Sequence, residues 1–496
     1  MRRFITILIL AAAAVLATAS CGKAPDKLES MEINSLEDLN GLDVGVVLGS
    51  IGDIGLTNDY PGINLHRYNS PALLFQAMEM GRLDAAYGDG TMEMDSHFAE
   101  KGMVEKFRGP YGGEVGFGFN MEEPELCNQF NDFLARIMAD GTYDEIFSRW
   151  VVDNADNVRL PDELLKSEWS EPLNIGILGG NVPFAFVNSD GFAGIEPELL
   201  ILFASSIGRK AVFHEYEVGA LFASVVTGKV DLISAFLYKT EERAKTMLFS
   251  DTYYNCPMIC FTCEAAAREK PGFFKRVAQS FHNNIIAEKR YELIWEGLLA
   301  TLLIAVLSIL FGTILGALMC WRALGSHARL WESILKVYGA IMHGVPLLVI
   351  LMLMFYVVFS SSATPAVVVS VVTFSIYFAY ACCEIFKNGI EGISKGQMEA
   401  ARSLGMNRVQ AFRLVILPQA MRNILPFYES EAVTLLKETS LVGFIAVVDL
   451  TKATDIIQSR TFDAFFPLLA AALIYFVLAW LLGLAISKTT PISQGR

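Results

Sequence analysis

Apolar and polar positions change their pattern near residue 290 of this 496-residue chain. Beyond that point the apolar runs are long. Residues 297–321 are 25 positions without a charge, and 24 uncharged positions separate Asp463 from Lys488. Each run satisfies the ~20 residues that a helix needs to cross a bilayer core. Between them, 337–383 holds 47 residues without Asp, Glu, Lys or Arg, too many for one crossing, and "SSSATP" at 360–365 divides them into two predicted spans. A fifth span, 426–448, is not predicted by hydropathy alone, because Glu429, Glu431, Lys437 and Glu438 crowd its first half. Charge parity supplies it: 387–423 has six basic and two acidic residues, and the tail carries Lys488 and Arg496, so both are expected in the cytoplasm. Lys275, Arg276, Lys289 and Arg290, ahead of the first span, run mildly against an outside N-terminus.

Before residue 290 the runs are short and alternate. "LDVGVVLG", a helical pattern at 71–80, "LDAAYGD", "GEVGFGF" and a helix at 124–150 form one series. After a polar stretch, "LNIGILGG", a helix at 196–207, "KAVFHEY", a helix at 219–227 and "VDLISAF" form a second. Strands alternating with helices predict parallel α/β layers. The divisions expected are 1–21, 35–150, a linker at 151–171, 172–263, a pre-membrane linker at 264–290, and 291–490.

Charge sharpens the division. Up to residue 290 the balance is −16, from 25 basic and 41 acidic residues; beyond it the balance is +2, from 14 and 12. An acidic α/β part argues against a nucleic-acid partner. The opening "MRRFITILILAAAAVLATASCG" has the layout of a secretory signal peptide. Cys21 after Ala19 and Ser20 resembles a bacterial lipoprotein box, with Thr18 where Leu is usual. The α/β part is therefore expected outside the cytoplasm. Of the eight cysteines, Cys256, Cys260 and Cys263 cluster; a disulfide is favoured over a zinc site, and two reduced, buried half-strand cysteines are the equal alternative. No histidine adjoins them to complete a zinc site.

Between the last membrane runs lies "EAARSLGMNRVQAFRLVILP" at 399–418, read as a helix over 396–404, a break at Gly405 and a second helix ending at Pro418. Leu404, Val409, Phe412 and Val415 are available for packing. The segment resembles the coupling motif of importer-type ABC permeases through Glu399, Ala400, Ala401, Gly405, Leu417 and Pro418, with Val415 where Ile is usual. "GVPLLVIL" at 344–351, preceded by His343 where Arg is common, "CEIFKNGIEGISKGQMEAARSLGM" and "LLKETSLVGFIAVVDL" extend the resemblance to polar amino acid permeases over about 291–490. It implies a five-helix type I importer domain, a homodimeric pore, and a separate ABC ATPase subunit in the cytoplasm. No GxxxxGK[ST] loop occurs in the chain, so it holds no cofactor of its own, and ATP with Mg belongs to that partner. Glu384, Glu429 and Glu431 sit near or within membrane segments, where carboxyls face protein or water, or lie at the interface.

The α/β part is similar to amino-acid-type periplasmic solute-binding proteins. "EPLNIGILGGNVPFAFVNSDGFAGIEPELLILFASSIG" and "GKVDLISAFLYKTEERAKTMLFSDTYY" look like their first lobe. "SLEDLNGLDVGVVLGSIGD" and "YNSPALLFQAMEMGRLDAAYGD" look like their second, and "ADGTYDEIFSRW" their closing helix. The lobe order is reversed. Either the domain is circularly permuted, or the halves survive from a tandem pair. Pairing of both lobes within one chain is favoured over pairing between protomers, since the linker reaches roughly 70 Å when extended. The fold class implied is an α/β two-lobe binding domain of type II, apparently permuted, followed by an all-α five-helix domain.

A zwitterion leaving water needs a cation, a carboxylate and N–H donors. By the resemblance Arg243 takes the ligand carboxylate and Asp89 its ammonium, with Gly49 and Ser50 opening a helix beside them and Asn181, Ala235 and Tyr238 lining the pocket. Asn181 stands where an aromatic lid is frequent, Tyr238 where a small hydroxyl residue is common, and Ile51 where Thr is frequent. The reversed order is expected to send "NCPMICFTC" through 264–290 into the first membrane helix instead of across to the other lobe, relaying closure to the pore. Phe273, Phe274, Val277, Phe281 and Ile285 at helical spacing form an amphipathic surface for membrane lipids or continue that helix. The whole implies the receptor and permease subunit of an amino acid importer in a bacterial inner membrane, not an enzyme. A ligand-gated channel has no use for the coupling motif; a solute sensor would lack ATP-dependent uptake.

Overall fold

A computed structural model describes residues 32–94, 98–99, 101–152, 158, 160–161, 169–188, 191–264, 280–324, 328–359, 364–461, 463 and 465–488. The signal-like segment with Cys21, most of the linker, and Phe273, Phe274 and Val277 lie outside them.

Eleven strands appear among the described residues: β1 Asp43–Val47, β2 Asn64–Tyr68, β3 Ala85–Asp89, β4 Met103–Phe119, β5 Pro172–Ile177, β6 Phe186–Asn188, β7 Gly191–Ala193, β8 Lys210–Glu215, β9 Leu232–Tyr238, β10 Leu248–Phe249 and β11 Tyr254–Cys263. Nine of them form one sheet in the order β2-β1-β3-β11-β4-β9-β5-β8, with β10 on β4. Its two ends are the lobes. β1, β2 and β3 run parallel in the N-lobe, and β5, β8 and β9 run parallel in the C-lobe. The helices α1 Ile51–Asp59 and α2 Pro71–Glu79 cover the N-lobe strands, while α3 Pro124–Ala139, α4 Thr142–Val152, α5 Ile195–Ser206 and α6 Val218–Val226 follow, the last two in the C-lobe.

The strands between the lobes decide how the halves are joined. β4 pairs with β11 along its first part and with β9 and β10 along its last. β11 leaves the C-lobe side at Tyr254 opposite Val115 and continues beside β3, pairing Met258 with Asp89 and Phe261 with Ala86. This corrects the expectation that "NCPMICFTC" avoids the other lobe: it crosses as a hinge strand before the chain proceeds to the membrane helices. Three unpaired residues of β4 bulge where Gly112 faces Pro257 and Arg108 faces Ile259. Gly112 has φ +140, and a Cβ there would meet the Cys256 carbonyl oxygen at 2.6 Å, so the crossover requires glycine.

Two further expectations change. The predicted 124–150 helix is two helices that break at Gly141, φ +86. The second, α4, is tied to the C-lobe: Trp150 Nε1 donates to Glu198 Oε2 at 2.6 Å and Arg149 to Oε1 at 2.5 Å. Cys256 and Cys260 are free thiols. Cys256 and Cys260 share one face of β11 four residues apart, roughly 13 Å at 3.3 Å rise per residue, beyond the ~7 Å limit for a disulfide, and Cys263 falls on the other face.

The membrane part contains α7 Tyr291–Ala323, α8 Ala328–Gly344, α9 Leu347–Leu353, α10 Ala366–Glu391, α11 Lys395–Ser403, α12 Arg408–Ala411, α13 Leu417–Glu438, α14 Leu450–Thr461 and α15 Phe465–Lys488. Among the described residues, α7, α10 and α15 are long and apolar enough to cross a membrane. The first of the two spans expected in 337–383 is broken: α8 and α9, with its continuation to Val358, meet at 104°. Pro346 at that break lacks the N–H a continuous helix would need. The span expected at 426–448 is displaced; α13 ends at Glu438 and a 3-10 stretch, Thr439–Ile445, follows. Ahead of α7 the chain is not a plain helical continuation, since Lys289 has φ +55.

The α/β part is seated on the membrane part. Tyr216, Ala220, Leu221 and Val225 of the C-lobe share one buried apolar cluster with Leu347, Leu351, Phe355 and Tyr356. Tyr356 Oη donates to the Ala220 carbonyl at 3.1 Å, and buried Lys229 donates to the Phe359 carbonyl with its ammonium 4.4 Å from the Phe355 ring centre. α14 packs on both lobes, through α2 and β6.

Candidate functional site

In parallel α/β sheets the loops after the strand C-termini form the ligand crevice. Here both lobes direct those loops at one another. Gly49 and Ser50 follow β1, Asp89 ends β3, Asn181 lies in the loop after β5, and Tyr238 ends β9 with Arg243 five residues on. All of these, with Ala235, line a single cavity of 390 Å³. That volume falls in the usual range for a small-molecule site. α14 and the stretch before it complete the wall with Ser440, Gly443, Phe444, Thr451, Lys452 and Ser459. The cleft therefore opens against the membrane part.

The polar groups meet across the cleft. Tyr238 Oη donates to Asp89 Oδ1 at 2.6 Å. Arg243 donates to the Tyr238 carbonyl at 3.1 Å and, across to the N-lobe, to the Gly49 carbonyl at 3.3 Å; its guanidinium lies 5.2 Å from the Phe222 ring centre. Burial raises the proton affinity of Asp89, opposed by the Tyr238 hydrogen bond and the Arg243 charge. Burial also works against the Arg243 charge, with Glu242 and Asp89 opposing. A cation and a carboxylate held apart in a low-dielectric cleft match the two ends of a zwitterion.

Gly49 and Ser50 are bonded within their own helix start. Ser50 caps α1, its hydroxyl accepting from Asp53 N at 3.1 Å, while Gly49 N–H donates to Asp53 Oδ2 at 3.0 Å. Asp53 also accepts from Arg67 Nε at 2.8 Å. The positive helix end is thus already partnered by a side chain of its own first turn, and these residues shape the wall.

Sequence reasoning missed Glu196 and the α14 wall. Glu196, fully buried, accepts from Ser234 Oγ at 2.6 Å, from Phe236 N at 3.0 Å and from the Tyr253 hydroxyl. It holds a bulge of β9 in which Phe236 takes φ +51. A non-glycine residue there costs roughly 1–3 kcal/mol and needs such anchoring. The bulge presents Ala235 and Tyr238 to the cavity. Two acidic residues opening an otherwise mostly apolar helix, "GIEPELL", were the available signal.

The other candidate set lies at the far end of the membrane part. α10 starts near the loop that meets Lys229 and runs for 26 residues, about 39 Å at 1.5 Å per residue, before α11 begins. α11 carries exposed Glu399 and Ala400 and buried Ala401; the chain turns at Gly405, and α12 opens with a capping box between Asn407 and Gln410. Pro418 does not end the second helix. A π-helical turn, Phe412–Ile416, accommodates the missing N–H, and Leu417 and Pro418 begin α13. Leu404 and Val409 are 81% and 74% exposed, an apolar surface with no intramolecular cover among the described residues.

Family models match the membrane part and the chain from the C-lobe onward. Residues 308–487 match the family described as binding-protein-dependent transport system inner membrane component, and 173–375 match bacterial extracellular solute-binding proteins, family 3. The amino-acid ABC transporter permease protein YckA of Bacillus subtilis is 33% identical over 198 residues, 40% of this chain and 87% of the relative. The glutamine ABC transporter permease protein GlnP of the same organism is 31% identical over 207 residues, 40% and 93% of the two chains. The glutamate/aspartate import permease protein GltK of Escherichia coli is 30% identical over 202 residues, 39% and 89%. A crystal structure of an amino acid ABC transporter with histidines covers 44% of this chain and 98% of its own at 32% identity and a TM-score of 0.37. The chain belongs to the family of binding-protein-dependent transport system inner membrane components, with a segment matching family 3 solute-binding proteins fused to it.

Proposed function

We propose that this chain is both receptor and permease of an ATP-driven amino acid importer. The observation that carries the reading is the single cavity: seven residues expected on an amino acid line it, and a helix of the permease part forms its third wall. Arg243 takes the carboxylate and Asp89 the ammonium, at the cost of the Arg243 contact to Gly49 and the Tyr238 contact to Asp89, both of which join the two lobes. The two lobes pair within one chain, and the lobe order is that of a circular permutation; the continuous sheet with β4 and β11 as hinge strands supports this.

The permease part has five spans, α7, the α8–α9 pair, α10, α13 and α15, and pairs with a second copy. The α/β part lies on the periplasmic side and the α11–α12 segment in the cytoplasm, where Leu404 and Val409, beside Glu399, dock on a separate ATPase that supplies ATP and Mg. Closure of the lobes on solute changes the wall made by α14, and ATP binding by the partner turns the pore. The chain performs no covalent chemistry.

The test is uptake of labelled amino acids into liposomes carrying this chain with its co-purified ATPase. ATP-dependent accumulation, reduced at least about tenfold in Arg243→Ala and in a Leu404→Asp/Val409→Asp double variant, is expected. Equal accumulation without ATP would overturn importer function.

A further inference from the structure

Part of the cavity is left unused by Arg243 and Asp89. Glu215 ends β8, Glu217 follows two residues later, and Asp455 stands on α14; all three line the cavity with a single ammonium, Lys452, among them. Lys452 Nζ donates to Glu217 Oε1 at 2.7 Å and lies 3.6 Å from Glu215 Oε1. The remaining acids of the wall are committed elsewhere. Glu196 is saturated by its three donors, and Asp449 caps α14 through Thr451 N and Lys452 N at 3.0 Å each while accepting from Tyr475.

Glu215 is the exception. Its side chain is 7% exposed, and its Oε2 is buried with no hydrogen-bond partner among the described residues. A buried carboxylate oxygen lacking a donor is a costly arrangement. Gly179 packs closely on the other oxygen, since a Cβ there would come within 3.3 Å of Glu215 Oε1. Burial raises the proton affinity of Glu215, opposed by Lys452. Burial works against the Lys452 charge, yet Glu215 and Glu217 outweigh it and hold the ammonium above its ordinary range. Three carboxyls facing one ammonium leave the wall acidic and one buried oxygen without a donor.

We propose that this wall receives a cationic side chain, ammonium or guanidinium, of the imported amino acid, with Glu215 Oε2 as its main acceptor and Lys452 as the resident counter-ion that the side chain displaces. This rests on the cavity being the solute site. With the α-carboxylate on Arg243 and the α-ammonium on Asp89, the side chain has the remainder of the cavity, and that remainder ends at Glu215, Glu217 and Asp455. A neutral side chain would leave the buried oxygen weakly paired, and an anionic one would meet like charge. Displacement frees Lys452 from the C-lobe and so loosens one tie between the receptor and α14.

The experiment is calorimetric titration of the full chain in lipid nanodiscs with lysine, arginine, glutamine and glutamate, for the wild type, Glu215→Gln, Lys452→Met and Arg243→Ala. Lysine or arginine is expected to bind at least about tenfold more tightly than glutamine, to lose about tenfold or more in Glu215→Gln, and to gain in Lys452→Met. If glutamine or glutamate binds most tightly, is lost in Arg243→Ala and is indifferent to Glu215→Gln, the cationic class is wrong while the solute site stands. If no amino acid binds, or binding survives Arg243→Ala unchanged, the site itself is wrong and this proposal falls with it. The wild-type preference decides the class even if Glu215→Gln does not fold.

Discussion

Asp89 and Tyr238 illustrate how a site residue takes its character from its surroundings. The aspartate between Gly88 and Gly90 reads as either a turn former or a ligand group, and only the cavity brings Tyr238 and Arg243 to it. Because burial raises its proton affinity above the ordinary 3.8, Asp89 protonates at a higher pH than an exposed aspartate. Only the ionised form pairs with an ammonium, so affinity for solute falls as pH is lowered toward that raised value and is restored as it rises. Titrations across pH check this; an affinity flat from neutral pH down to 4, or a slope that persists in Asp89→Asn, would count against Asp89. That Arg243, Asp89, Asn181, Ala235 and Tyr238 share one cavity was legible in the sequence because each sits in a stretch with a family pattern. Glu196, Glu215 and Lys452 were not, since what matters about them is which distant elements they meet.

Elements show the same division between local and distant causes. Alternation located most strands and helices, and hydropathy located α7, α10 and α15, because burial on one face or against lipid imprints a period. What it missed were breaks: Gly141 inside the expected 124–150 helix, the bend at Pro346, and the π-helical turn that carries Pro418 onward. The α4 helix depends on a buried carboxylate for its place. Glu198→Ala strands the Trp150 N–H, and a loss of about 1–3 kcal/mol is expected, read as earlier thermal unfolding of the α/β part. An unchanged melting profile would mean that packing alone seats α4. On β11, burial pushes the Cys256 thiol up to about 11 and Cys260 up to about 12. Both are therefore expected to resist alkylation at neutral pH until the chain unfolds, with half-buried Cys263 reacting first and no change in gel mobility on reduction. A reducible mobility shift lost in Cys256→Ser would restore the disulfide.

At the scale of the molecule, the fused order makes docking intramolecular. A free solute receptor must find its permease by diffusion; here Tyr356, Lys229 and Lys452 hold the C-lobe to the membrane part, and one apolar cluster runs through the joint. The lobe order that the sequence motifs suggest implies a path for β11 that the structure does not follow. The strand expected to bypass the N-lobe crosses into it, because β3 and β4 offer it an antiparallel slot that no motif announces. If one chain builds one complete site from both lobes, binding must depend on both Arg243 and Asp89 within the same chain. This is tested most directly by equilibrium dialysis of labelled amino acid against full-length protein, comparing wild type, Arg243→Ala, Asp89→Ala, and the two variants co-expressed. One solute per chain, lost in each variant and still absent after co-expression, is the predicted result. Recovery of binding in the co-expressed sample, where an intact arginine and an intact aspartate meet only between chains, would contradict it.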